Sequence, residues 1–171
     1  MSKRFVSKTV FHAAGIPLAA ALVSSFSGTA NAQLVTHKDI TAAMAITMAE
    51  TAIATCKTNG YAVSANVVGR QGEVIVAMRG DNTGPHTIEN SMKKAYTARA
   101  FRRSSGDFAD GIKSYTAGAL RLTNIVPARG ALPIVVGEDV IGAIGVSGAP
   151  GGEKDEACAK AGIDKVAAEL K

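Results

Sequence analysis

Two histidines outside the first thirty-two residues, His37 and His86, are the side chains best suited to holding a metal or cofactor. No HxH, HExxH or CxxC pattern accompanies them, which argues against a multi-ligand zinc site built by one chain. A haem needs only one or two axial ligands, and imidazole is a common one. His86 stands in the junction Gly84-Pro85-His86-Thr87, seven residues before Lys93. Lys93, Lys94, Arg99, Arg102 and Arg103 follow within eleven residues, and such a basic helix can receive propionates. The plainer reading of either histidine is an exposed or capping residue, and that of the charge run is a solvated face.

A second candidate is the corner Ser147-Gly148-Ala149-Pro150-Gly151-Gly152-Glu153. A Gly-rich loop opening a helix exposes unpaired N–H groups and the positive end of the dipole, which suits an anion. Ser147, Gly148, Gly151 and Gly152 would form that anion loop, with Arg79 or Arg99 nearby. GxxxxGK[ST] is absent, and GxGxxG is not matched between strand and helix. Glu153, Asp155 and Glu156 already place carboxylates in the first turn, where they would repel an external anion. The residues alone favour a tight structural turn over a ligand loop. Ser147 does not sit in GxSxG, and no complete catalytic constellation is visible, so the sequence leans away from an enzyme without deciding the point.

These residues need elements to position them. Thr36 or Asp39 can cap a first helix running to about Lys57, with Ile40, Met44, Met48, Thr51, Ala52 and Thr55 on one face. Asn59-Gly60 ends it. Tyr61–Val68 and Glu73–Arg79 read as an antiparallel hairpin about Gly69–Gly72. A second helix is expected from His86 to about Arg102, with Ile88, Met92, Ala95, Tyr96 and Arg99 sharing a face. A shorter helix should run from Asp107 to about Ala117. An irregular link follows, with room for one further short strand. Ile134–Val136 and Val140–Val146 form a second hairpin. Val140–Val146 is apolar on both faces, as in a central strand covered on both sides. Gly142 and Gly145 mark places where another backbone or a ligand comes close. A last helix covers about Glu153–Leu170. The order αββααββα, with strands in hairpins, predicts an α+β domain with helices packed on an antiparallel sheet.

The chain has 171 residues, 47% hydrophobic and 19% charged, as expected of one globular domain with a sizeable core. Residues 1–32 read as a separate piece. Lys3, Arg4 and Lys8 precede an apolar run from Ala13 to Phe26, and Ala30-Asn31-Ala32 is a small-x-small cleavage pattern. This predicts a secretory signal peptide over 1–32, a single domain over 33–171, and a periplasmic or secreted location. The run is short for the ~20 residues of a membrane anchor. No later segment is long and apolar enough to cross a bilayer. Residues 1–32 hold three of the nineteen Lys and Arg and no acid, which leaves sixteen cations against fourteen acids and a net charge of +2. That balance does not support a nucleic-acid partner.

Both cysteines, Cys56 and Cys158, fall in the exported part. Each sits at the flank of its helix's apolar stripe, as an edge clip between neighbouring helices requires. A bond is favoured over two buried free thiols, and closing a loop of about 100 residues would stabilise by ~4–5 kcal/mol in the chain-entropy model.

Several motifs in order resemble the GlcG/HbpS family of haem-binding or haem-associated proteins, which is related to the C-terminal domain of PduO-type proteins. They are Gly84-Pro85-His86-Thr87, Lys94-Ala95-Tyr96-Thr97-Ala98, Phe101-Arg102-Arg103, Leu132-Pro133-Ile134-Val135, Val140–Gly148 and Asp155-Glu156-Ala157-Cys158-Ala159. The resemblance covers roughly residues 36–170. It implies profilin-like α/β/α layers around a sheet of about five antiparallel strands, homo-oligomers with sites near subunit contacts, and haem as cofactor in some members. His86, inside a matched motif, is the expected iron ligand, and His37 is second. Lys93, Lys94, Arg99 and Arg102 would meet the propionates. The expectation is an exported haem-binding protein that stores, transfers or senses haem. The alternatives are a module for a small organic anion and an oligomeric structural or stress protein without a small ligand.

Overall fold

The structure is a computed structural model and describes residues 33–112 and 117–171. Contacts divide the chain into Met1–Val35 and Thr36–Lys171, and every element below belongs to the second unit. The expected signal peptide over 1–32 lies outside the described residues.

Helix α1 spans Ala42–Thr58. Its cap is Thr41, not Thr36 or Asp39: the Thr41 side chain accepts the Met44 N–H at 3.2 Å. Ile40 therefore precedes the helix, and both it and Ala45 are buried, the arrangement of a hydrophobic staple. The buried stripe is Ala45, Met48, Ala49, Ala52 and Cys56, rotated from the expected one so that Thr51 and Thr55 lie at its margin. Asn59 ends the helix, and Gly60 takes φ +81°.

Strands β1 (Ser64–Val68) and β2 (Val74–Arg79) form the first hairpin, and β3 (Ala131–Val136) and β4 (Asp139–Ser147) the second. The hairpins join through β1 and β4, where Ser64 faces Ser147 and Val68 faces Ala143. The sheet order is β2-β1-β4-β3, antiparallel throughout. It has four strands among the described residues where about five were expected. The link before β3 supplies a short 3₁₀ helix, Ala117–Arg121, instead of a further strand. Pro133 lies on the edge strand β3, where a missing N–H costs least.

On one face α1 packs against α4 (Gly152–Lys165), over Ala65, Val67, Ile144 and Val146. On the other lie α2 (Thr87–Phe101) and α3 (Ser105–Asp110, capped by Ser104). The result is the α/β/α layering expected of the fold, with β4 covered on both sides. The fourth helix stops at Lys165 and a 3₁₀ turn, Ala167–Glu169, takes its last residues. Cys56 and Cys158 are bonded, with Cα atoms 5.7 Å apart, and both are buried in the α1–α4 seam. The bond is therefore a central tie rather than an edge clip. Among the described residues, no helix is long and apolar enough to cross a membrane.

The α2 layer departs most from the expected pattern. Its buried residues are Thr87, Ser91, Lys94, Ala95, Thr97 and Ala98, and only Ala95 belongs to the anticipated apolar face. The sheet beneath offers Ser64, Asn66, Ala143 and Gly145, so small and polar groups meet there. Ser64 and Thr87 share a hydroxyl hydrogen bond of 2.8 Å. Asn66 donates to the Ile88 carbonyl at 2.9 Å and to Ser91 Oγ at 2.7 Å. A Cβ on Gly145 would lie 2.2 Å from the Ser91 carbonyl oxygen, so the close approach anticipated there is that of the α2 backbone.

Candidate functional site

The residues singled out from sequence fall at two ends of α2. His86 stands at its start and Arg102 at its end, roughly 24 Å apart at 1.5 Å per residue. Arg102 is therefore not beside His86 in the same chain.

At the first end, His86 is the N-terminal flanking residue of α2 and makes no capping hydrogen bond. The preceding turn is held by Thr87, whose hydroxyl donates to the Gly84 carbonyl at 2.8 Å. The exposed imidazole folds back over Gly84, where a Cβ would meet it at 2.9 Å. It borders three adjoining clefts. One, about 400 Å³, is shared with Asn90, Ser147, Gly148, Gly151 and Gly152. A second, about 520 Å³, lies towards Tyr61, Asn82 and Pro150, and a third, about 380 Å³, towards Glu89, Lys93 and Val126. The histidine junction and the Gly-rich corner, which are sixty residues apart in the chain, thus form one surface. Asn90 ties them by donating to Ser147 Oγ at 2.9 Å. Lys93 lies two turns along α2, roughly 10 Å from His86, and pairs with Glu89 at 2.6 Å on the exposed side.

Lys94 corrects the reading of the basic run. It is buried, with its ammonium 2.8 Å from Asp155 Oδ2 and 3.1 Å from the Val146 carbonyl. As placed, its charge is committed to Asp155, so it is not a free propionate partner. Asp155 in turn accepts the Ala149 N–H at 3.0 Å. The corner's internal anion is this carboxylate, while Glu153 folds back over Gly151. Burial pushes the Asp155 carboxyl above its ordinary range, and Lys94 and the Ala149 N–H offset this only in part. Neither Arg79 nor Arg99 stands at the corner: Arg79 donates to the Thr83 carbonyl, and Arg99 borders a cavity with Arg70 and Tyr96. The cation there is Arg129, which pairs with Asp110 and, at 3.2 Å, with Glu156.

At the other end, His37 Nε2 donates to Asp39 Oδ2 at 3.0 Å. Asp39 also lies 3.4 Å from Arg70 Nε, and Arg70 bonds Asp139 at 2.7 Å. Arg102 donates to the Glu138 carbonyl at 3.2 Å. His37 and His86 are thus not brought together. Among the described residues, no group of three or more His, Cys, Asp or Glu is arranged to hold a metal ion.

Sequence reasoning missed Asn90, Arg129 and Arg70 as structural partners, and the pairing of Lys94 with Asp155. The last two are 61 residues apart, and only the sheet brings them together. The signal available was a lysine on the face of α2 that the neighbouring Ala95 and Ala98 mark as buried.

A family model described as "Haem degrading protein HbpS-like" matches residues 40–164. The chain belongs to the HbpS-like family. The matched region contains His86 and all of α2, and begins just after His37. The crystal structure of HbpS superposes with a TM-score of 0.73 at 29% identity, covering 77% of this chain and 93% of that one. An uncharacterized 15.0 kDa protein from the dhaT-dhaS intergenic region of Citrobacter freundii is 33% identical over 129 residues, 73% of this chain and 90% of that protein. The crystal structure of a PduOC–haem complex shares the fold, with a TM-score of 0.67 at 21% identity, covering 74% of this chain and 94% of that one.

Proposed function

We propose that this chain is an exported haem-binding protein in which the His86 imidazole is the iron ligand. The observation that carries the reading is the placement of His86: an exposed ring without a capping role, at the meeting point of three clefts. Support comes from its position inside the family-matched region and from the haem named for HbpS-like and PduOC proteins. Export rests on the signal-peptide pattern of residues 1–32.

The residues present fit one side of a haem. His86 offers an imidazole nitrogen to iron, and Lys93 lies at propionate reach along α2 once it leaves Glu89. Lys94 holds the floor of the cleft through Asp155, and Asn90 fixes Ser147 beside it. Bound iron would supply redox chemistry. The clefts are open to solvent, so one chain covers a single haem face and a second copy would cover the other. An open site of this kind suits taking up and handing on haem. The small-anion reading of the corner is weaker, because Asp155 already occupies the Ala149 N–H.

Titration of the mature protein with hemin, followed at the Soret band, tests the proposal. A saturable band is expected in wild type. His86→Ala should weaken binding at least about tenfold, and His37→Ala should leave it unchanged. No saturable band in wild type would sink the haem reading and favour a structural role. An unchanged band in His86→Ala would move the iron ligand elsewhere.

A further inference from the structure

The far end of α2 carries a cavity that the haem reading does not use. It measures about 210 Å³ and is lined by Arg70, Gln71 and Gly72 of the β1–β2 turn and by Tyr96, Arg99 and Ala100 of α2. Its wall has two guanidinium groups and no carboxylate. Tyr96 and Arg99 stand three residues apart and so share a helix face. Gly72, at φ +80°, presses on the tyrosine ring: a Cβ there would lie 2.5 Å from Cε2. The ring is therefore fixed against the turn that carries Arg70.

Arg70 is held from behind. Its terminal nitrogens donate to Asp139 and, at 2.7 Å, to the Lys38 carbonyl. Arg99 differs, since it forms no ion pair among the described residues. The Arg99 Nε is buried and lacks a hydrogen-bond partner, whereas the Arg70 Nε has Asp39 Oδ1 at 3.4 Å. A buried N–H without a partner is costly, and a planar oxyanion can engage the edge of a guanidinium through two parallel N–H bonds. The surroundings already favour such a charge. Asp139 is held below its usual range, first by its hydrogen bond from Arg70 and further by the fields of Arg102 and Arg99.

We infer that this cavity is a carboxylate site, with the Arg99 guanidinium as the principal donor and the Tyr96 hydroxyl and Gln71 amide beside it. The volume suits a small free carboxylic acid. The site is separate from His86 and does not depend on haem binding. Arginine rather than lysine at position 99 is the specific feature, because a single ammonium cannot make the paired contact.

Isothermal titration of the mature protein with acetate and with succinate, at constant ionic strength, tests this, with inorganic phosphate as a third ligand. Saturable carboxylate binding is expected, with a matching rise in thermal midpoint. Arg99→Gln should weaken it by at least about tenfold and Arg99→Lys by less. Arg121→Gln, which removes an equal charge from the exposed 3₁₀ helix, should have no effect. Hemin titration of Arg99→Gln should match wild type. The inference is overturned by any of three results: no saturable carboxylate binding at millimolar concentrations, equal loss in Arg121→Gln, or binding of phosphate alone. Loss of hemin binding in Arg99→Gln would overturn the separation of the two sites.

Discussion

Asp155→Leu is expected to destabilise the fold by about 3–5 kcal/mol, the usual cost of leaving one member of a buried ion pair alone. Lys94 would keep only the Val146 carbonyl as a partner, in a place that is nearly closed to water. Lys94→Met should cost less, because the carboxyl left behind can take a proton. The double variant Lys94→Met/Asp155→Leu should recover most of the loss, since apolar groups of similar size need no partner. Denaturant unfolding of the four proteins gives the cycle. Equal and additive losses would show that the pair is not an energetic unit.

The pH dependence follows from the direction of the shift. The Asp155 carboxyl is raised in the fold, mainly by burial. The folded state therefore holds its proton more tightly than the unfolded state. This group's contribution is fully present below the ordinary aspartate range and is lost as pH rises through the raised value. Lys94→Met removes the counter-charge and raises that value further. Its destabilisation should shrink on acidification, and carboxyl NMR would follow the titration directly. Above the raised value the ionised carboxyl is held against its burial by Lys94 and the Ala149 N–H. The pair ties α2 to the corner and the start of α4, the surface that presents His86.

Removal of the Cys56–Cys158 bond is the second large effect. The bond spans 102 residues, and the chain-entropy model assigns it about 4–5 kcal/mol. Cys56→Ala/Cys158→Ala should lose that amount relative to the oxidised protein, read from denaturant midpoints. Both sulfurs are buried in the seam between α1 and α4. Close helix packing lies beside it, since a Cβ on Gly162 would lie 2.5 Å from the Met48 carbonyl oxygen. A reductant should therefore act slowly on the native protein and much faster in partial denaturant. Rapid reduction under native conditions would show that the seam opens readily.

Much of this fold was legible in the chain. Strand-like runs flanking short Gly-containing turns located both hairpins, and the doubly apolar Val140–Val146 run identified the central strand. Helix order also followed from periodicity. The first cap was misplaced because Thr36, Asp39 and Thr41 are all competent caps. Which one acts depends on where Ile40 finds its pocket beside Gly142. The face of α2 was misread for a related reason. An apolar-stripe rule assumes that a helix meets apolar partners, whereas this sheet presents Ser64, Asn66 and Gly145 to it. The expected fifth strand had no hydrophobic pattern of its own, and the described part of the link supplies a 3₁₀ helix.

For the site, the sequence by itself determined the inventory: two histidines, one basic helix and one Gly-rich corner. Those are properties of residue type and local spacing, which any conformation preserves. Only the tertiary structure decided how the groups are distributed. It joined His86 to the corner, sent His37, Arg99 and Arg102 to the opposite end, and took Lys94 out of solvent to meet Asp155. The reason is that charge and hydrogen-bond partners are matched across the sheet, between residues far apart in the chain, and local pattern carries no record of that pairing.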